Sequence, residues 1–194
     1  ATAADHTIRI NNVTYATPKD QPLHLEFRGR SERPVSLPAH ATRMIEAGQT
    51  ARFGGRTIEA RGADVHITPA GRGTFTLTSV DRATGRPATA ADHTIRINNV
   101  TYATPATQPV RLEFRGRSSA PVGLPARATL TIAAGTSATY NGRVIQAVGA
   151  DVRLAPVGRS GFVLTSARPE APAQIRVNNV TYATPATQPV RLEF

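Results

Sequence analysis

Along residues 94–97, Ile95 and Ile97 alternate with Thr94 and Arg96, and the same period of two returns where Val110, Leu112 and Phe114 alternate with Arg111, Glu113 and Arg115. Leu130 and Ile132 alternate with Thr129 and Thr131, and Val152 and Leu154 flank Arg153. That period belongs to a β-strand with one buried face, because successive side chains point to opposite sides of the sheet. Asn141-Gly142 lies between two such runs. A type I′ turn needs positive φ at both central residues, so the pair predicts a tight hairpin, and Gly54-Gly55 meets the same demand earlier in the chain. The paired Asn98-Asn99 breaks the alternation before Val100 and Tyr102 and reads as a bulge or bend in a strand. No stretch has the 3.6-residue period of an amphipathic helix. With about seven short strands per roughly 80 residues, the pattern predicts an all-β fold of tandem immunoglobulin-like β-sandwich modules, since two half-apolar sheets must cover one another.

The pattern is also copied. NNVTYATP, two variable residues, QP, two more and LEF occur at residues 11–27, 98–114 and 178–194. Residues 7–79 align with 94–166 without a gap and are identical at roughly two-thirds of positions, so one fold serves both. The division expected is a module over 1–80, a linker over 81–93, a second module over 94–166, a linker over 167–174, and the first two strands of a third copy over 175–194. The linkers are rich in Pro and Ala and read as short spacers. At the level of architecture alone, the build resembles bacterial immunoglobulin-like tandem repeats.

Charge and residue usage narrow the chemistry. The net charge of +10 is carried almost wholly by arginine, Lys19 being the only lysine, and favours anionic partners. The arginines are scattered, as solvated side chains are. Arg28, Arg30, Arg115 and Arg117, in two RGRS segments, are the candidate polyanion site; their spacing would set both guanidinium groups of a pair on one side of an extended segment. No aromatic residue interleaves with them as a stacking platform for bases, so nucleic acid is not the expected partner. Cysteine is absent, and with it disulfides and thiolate chemistry. His24, His40 and His66 align with Arg111, Arg127 and Arg153, which can neither bind a metal nor act as a base near neutral pH. His6 and His93 fall in linker sequence. The acidic positions common to both modules, Asp64 with Asp151 and Glu26 with Glu113, are too few for a calcium site. They fit a turn cap or a partner for arginine. No metal site, cofactor or catalytic residue is expected, and no motif of nucleophilic or phosphate chemistry occurs. Asn12, Asn99 and Asn179 each begin an Asn-Val-Thr triplet, formally a glycosylation acceptor. No apolar run approaches the roughly 18 residues of a membrane span.

The third copy carries the assembly expectation. Its inward positions, Ile175, Val177, Val180, Tyr182, Val190, Leu192 and Phe194, match core positions of the earlier copies. Two strands alone are marginal in water, so they should pack on a neighbouring module of the same chain or the next. The function expected is mechanical: a non-enzymatic fibre, filament, stalk or adhesin shaft at the cell surface or outside it, with copies of itself as partners. The alternatives are an arginine-rich array binding acidic polysaccharide or another polyanion, and a repeat decorating a phage tail or capsid.

Overall fold

The computed structural model describes residues 6–38, 40–89, 92–158, 161–167, 174–185 and 188–194. Every regular element among them is a β-strand, and the strands form several sheets, an arrangement consistent with the β-sandwich class. No helix among the described residues is long and apolar enough to cross a membrane. The chain divides into two compact units: Ala1–Arg96 with Thr104–Arg127, and Ile97–Ala103 with Ala128–Phe194. Repeat and unit are therefore out of phase, because the second repeat is divided: Thr104–Arg127 belongs to unit 1 and Ile97–Ala103 to unit 2.

Unit 1 begins with β1 (His6–Ile10), β2 (Val13–Thr17), β3 (Glu26–Phe27), β4 (Pro34–Ser36) and β5 (Thr42–Ile45). It continues with β6 (Thr50–Phe53), β7 (Arg56–Arg61), β8 (Asp64–Gly71) and β9 (Thr74–Val80), and takes in β10 (Thr94–Ile97) up to Arg96 and β12 (Arg111–Arg115) from the second repeat. One antiparallel sheet runs β1-β2-β5-β8-β9-β12. In the other, β6, β7 and β10 are neighbours, and β3 and β4 form a small separate pair. The alternation of buried Arg56, Ile58 and Ala60 with outward Thr57, Glu59 and Arg61 on β7 aims one face inward. Phe53 meets Phe75 edge-on at 5.3 Å between centroids, joining β6 to β9 across the core.

Unit 2 holds β11 (Val100–Ala103), β13 (Thr129–Ile132), β14 (Ser137–Tyr140), β15 (Arg143–Val148), β16 (Val152–Val157) and β17 (Gly161–Ser166). From the third copy it takes β18 (Gln174–Val177), β19 (Val180–Ala183) and β20 (Arg191–Glu193). Its sheets run β11-β13-β16-β17-β20 and β14-β15-β18-β19. Tyr140 meets Phe162 edge-on at 5.2 Å, the counterpart of the Phe53 contact.

Three local expectations change. The paired asparagines are not a bend within one strand but the two-residue turn of a hairpin: Ile10 pairs with Val13 around Asn11 (φ 48°) and Asn12 (φ 64°), and Val177 with Val180 around Asn178 (φ 45°) and Asn179 (φ 69°). Asparagine tolerates the left-handed region, which a type I′ turn requires twice. The stretch after Val80, expected as a short spacer, is a hydrogen-bonded loop. Asp81 accepts the backbone N–H groups of Ala83 (2.8 Å) and Thr84 (2.9 Å), and its own N–H donates to Arg86 O, closing a loop that returns Ala88 to the backbone of Ser79. His93 is no loosely held linker side chain; it is fully buried, with its backbone against Gly62.

Candidate functional site

Each unit is completed by a strand from the repeat that follows. In unit 1, Arg111–Arg115 lies antiparallel on β9, pairing Leu112 with Leu77 and Phe114 with Phe75. In unit 2, Arg191–Glu193 lies on β17, pairing Leu192 with Leu164, and Phe194 exchanges both backbone bonds with Phe162 (3.1 and 3.2 Å). The register is the same in both. It starts from the same polar latch: Val110 N–H donates to the Ser79 hydroxyl at 3.0 Å, and Val190 N–H to the Ser166 hydroxyl at 2.9 Å. Both serines are buried, so an unpaired N–H there would cost the full desolvation of the group. Val110, Leu112 and Phe114 are buried, each contributing roughly 1.5 to 3 kcal/mol before the entropy of ordering the strand.

An arginine pins the incoming strand. Arg56 is only 3% exposed, and its guanidinium lies 4.7 Å from the centroid of Phe114 and 5.3 Å from that of Phe75, two rings stacked 5.8 Å apart. It donates to three carbonyls: Gly54 O (3.1 Å), Gly116 O (3.0 Å) and Ser118 O through Nε (2.9 Å) and Nη2. A buried cation is tolerated only when its donors are spent in this way. In unit 2, Arg143 takes the same position over Phe162 (5.6 Å) and Phe194 (5.2 Å), rings stacked 5.5 Å apart. Neither arginine stands out by composition. The signal is parity: Arg56 falls on the inward set of β7 with Ile58 and Ala60.

Of the seven third-copy positions, the structure brings six toward unit 2. Ile175 and Val177 are buried on β18, which pairs with β15; Val190 is buried beside β17; Tyr182, Leu192 and Phe194 are half-buried. Val180 departs from the expected inward set and is 54% exposed, because β19 has no second neighbour among the described residues. In the same place β2 pairs with β5 and β11 with β13.

The arginines of the RGRS segments are exposed but not arrayed along an extended segment. Ser31 N–H donates to Arg28 O and Ser118 N–H to Arg115 O, making β-turns with Gly29 (φ 59°) and Gly116 (φ 54°) at the first central position. Glycine turns the chain there, so the alternation of an extended segment does not apply between the paired arginines. Asn12 donates its side-chain amide to Thr50 O at 2.8 Å and Asn99 to Ser137 O at 2.6 Å, whereas no bond of this kind is found for Asn179 among the described residues.

Asp64 and Asp151 cap equivalent turns, accepting the N–H of Ala47 and of Ala134, each at 2.8 Å. Asp64 also holds Arg82 through two bonds (3.0 and 3.1 Å) at the edge of an open depression lined by Asp81, Arg82 and Arg86. Its carboxylate is thus committed to structure. No group of three or more acidic or histidine side chains is placed to hold a metal among the described residues. Comparison with protein-family models, curated proteins and solved structures gives no match.

Proposed function

We propose that this chain is a non-enzymatic structural protein of a fibre, filament, stalk or adhesin shaft at the cell surface or outside it. Its tandem immunoglobulin-like modules would be held in series by β-strand addition. The supporting observation is that both units receive their closing strand from the next repeat, in one register and under one arginine clasp. A module that needs its successor to finish its sheet resists separation from it, since parting them exposes a strand edge and an apolar core together.

A second reading, binding of acidic polysaccharide or another polyanion, draws support from the exposure of Arg28, Arg30, Arg115 and Arg117 in unit 1. One pair of measurements separates the two. The structural reading expects ordered polymers of the purified chain in negative-stain micrographs, and retention on a heparin matrix that is weak at physiological salt. Monodisperse particles whose strong retention falls steeply with added salt would transfer the function to the polyanion site.

A further inference from the structure

Each copy of the repeated stretch has two apolar sides, and the three copies differ in which is covered. In copy 2, Ile95, Leu112 and Phe114 are buried, and so are Val100 and Tyr102. In copy 3, Ile175, Val177 and Val190 are buried while Val180 is open to solvent. Copy 1 differs from copy 3 at both strands of its first hairpin. Val13 and Tyr15 are buried, but Ile8 is 42% exposed and Ile10, Leu25 and Phe27 are half-exposed. The outer edge of β1 has no neighbour among the described residues, although β10 and β18 in the same place lie beside β7 and β15. Copy 1 therefore presents a strand edge with Ile8 and Ile10, whose counterparts both sister copies bury, and Leu25 and Phe27, whose counterparts copy 2 buries.

We propose that copy 1 joins one chain to another: residues 24–27 enter unit 2 of a second copy of this chain, displacing residues 191–194 from β17, while β1 takes the place of β18 on β15. This rests on the structural reading above and names its joint. The fit is that of a sequence already known to the groove. Ile8, Ile10, Leu25 and Phe27 stand for Ile175, Val177, Leu192 and Phe194, and the backbone N–H of Leu23 replaces that of Val190 at the Ser166 hydroxyl. Phe27 then lies under Arg143 as Phe194 does. The resident strand is the weaker of the two that the structure contains, with Leu192 and Phe194 half-exposed where Leu112 and Phe114 are buried. It holds its place through tethering, at an effective concentration on the order of millimolar, so exchange between chains rises with protein concentration.

The chain lacks cysteine, which permits a clean test on the intact chain. Thr165 pairs with Arg191 on β17 and β20, between the hydrogen-bonded partners Phe162–Phe194 and Ser166–Val190. Such a non-bonded pair has Cα atoms about 4.5 Å apart, within disulfide range. His24 is the copy 1 counterpart of Arg191, so the double variant His24→Cys with Thr165→Cys, refolded at rising concentration under oxidation, should form covalent dimers and longer chains on non-reducing gels. Adding Val190→Ala, which loosens the resident strand, should raise the multimer several-fold. Adding Leu25→Asp should lower it about tenfold or more, because a carboxylate would have to enter the core. Thr165→Cys with Arg191→Cys should give only an internal bond and no multimer. Monomer at every concentration, with Val190→Ala present and with the internal control forming its bond, would overturn the proposal. If native chains still polymerise in micrographs, the fibre reading survives and the joint lies elsewhere. If the cysteine variant multimerises but native chains neither polymerise nor bind, the joint stands and the fibre reading fails.

Discussion

Leu112 and Phe114 are buried in a five-residue strand, whereas in the same LEF sequence of copy 1 Leu25 lies just before, and Phe27 at the end of, a strand of two residues, both half-exposed. The local sequence nearly matches, so propensity cannot explain the difference. What differs is the acceptor: β9 receives copy 2, while copy 1 finds only the short β4. The LEF run is thus competent to be a strand, and a neighbouring sheet edge decides whether it becomes one. Paired substitutions test this most directly. Phe114→Ala should cost unit 1 about 3 to 5 kcal/mol, since it empties an aromatic site in the core and strips Arg56 of one of its two rings. Phe27→Ala should cost under about 1 kcal/mol in the monomer, as surface changes do. Denaturant melts of the two variants check it, and equal losses would show that copy 1 is already packed.

The same comparison between the units isolates a smaller effect. Arg43 and Leu130 occupy equivalent inward positions of β5 and β13. Leu130 is fully buried; Arg43 is 8% exposed, with its Nε lacking a hydrogen-bond partner and its guanidinium 5.7 Å from the Phe53 ring. Burial draws its affinity for the proton below the ordinary arginine value, the sign of a charge held away from water. Tyr15 beside it is shifted up by burial, and its hydroxyl is also unsatisfied. Cation–π attraction offsets only part of that cost. Arg43→Leu, which copies unit 2 into unit 1, is expected to stabilise unit 1 by about 1 to 3 kcal/mol and raise its melting midpoint by several degrees. A lower midpoint would mean that Arg43 serves unit 1 in a way Leu130 does not serve unit 2.

The sequence carried the strands plainly. Alternation at Ile95 and Ile97, at Leu112 and Phe114, and at Leu130 and Ile132 matches buried positions on β10, β12 and β13, and Asn141 (φ 47°) with Gly142 (φ 75°) makes the two-residue turn that its chemistry implies. Phase was harder to read. Period two says that Leu112 faces inward but not into which unit, because identical apolar faces are offered by each repeat. Asn98-Asn99 was ambiguous for a related reason: asparagine suits both a bulge and a type I′ turn, and only the partner strand tells them apart. The clasp is half-legible: alternation with Ile58 and Ala60 puts Arg56 on the inward face of β7, but the rings that receive it come from β9 and from the next repeat. His93 was misplaced because its surroundings in the sequence are those of a linker, while Gly62 (φ 75°) lets the backbone at 92–93 approach within 3.0 Å of where a Cβ would stand.

Histidine supplies the smallest difference between the units. His93 lies fully buried in unit 1, and burial pushes its pKa below the ordinary value of 6.5, against a weaker pull upward from Asp92. His66 is lowered by burial too, with Asp64 opposing, and its unit 2 counterpart is Arg153. Both imidazoles therefore take up protons less readily in the folded unit than once it unfolds. Unfolded unit 1 then binds more protons than folded unit 1 below about pH 6.5, so its stability is complete above that value and declines as the pH falls toward the folded pKa values. Unit 2 contains no histidine. Hydrogen exchange followed segment by segment at about pH 7.5 and about pH 5.5, corrected for the intrinsic exchange rate, should show protection falling on β7 and β9 while β15 and β17 hold theirs. His93→Gln combined with His66→Arg should remove the difference. A fall of equal size in both units would trace the pH response to groups that they share.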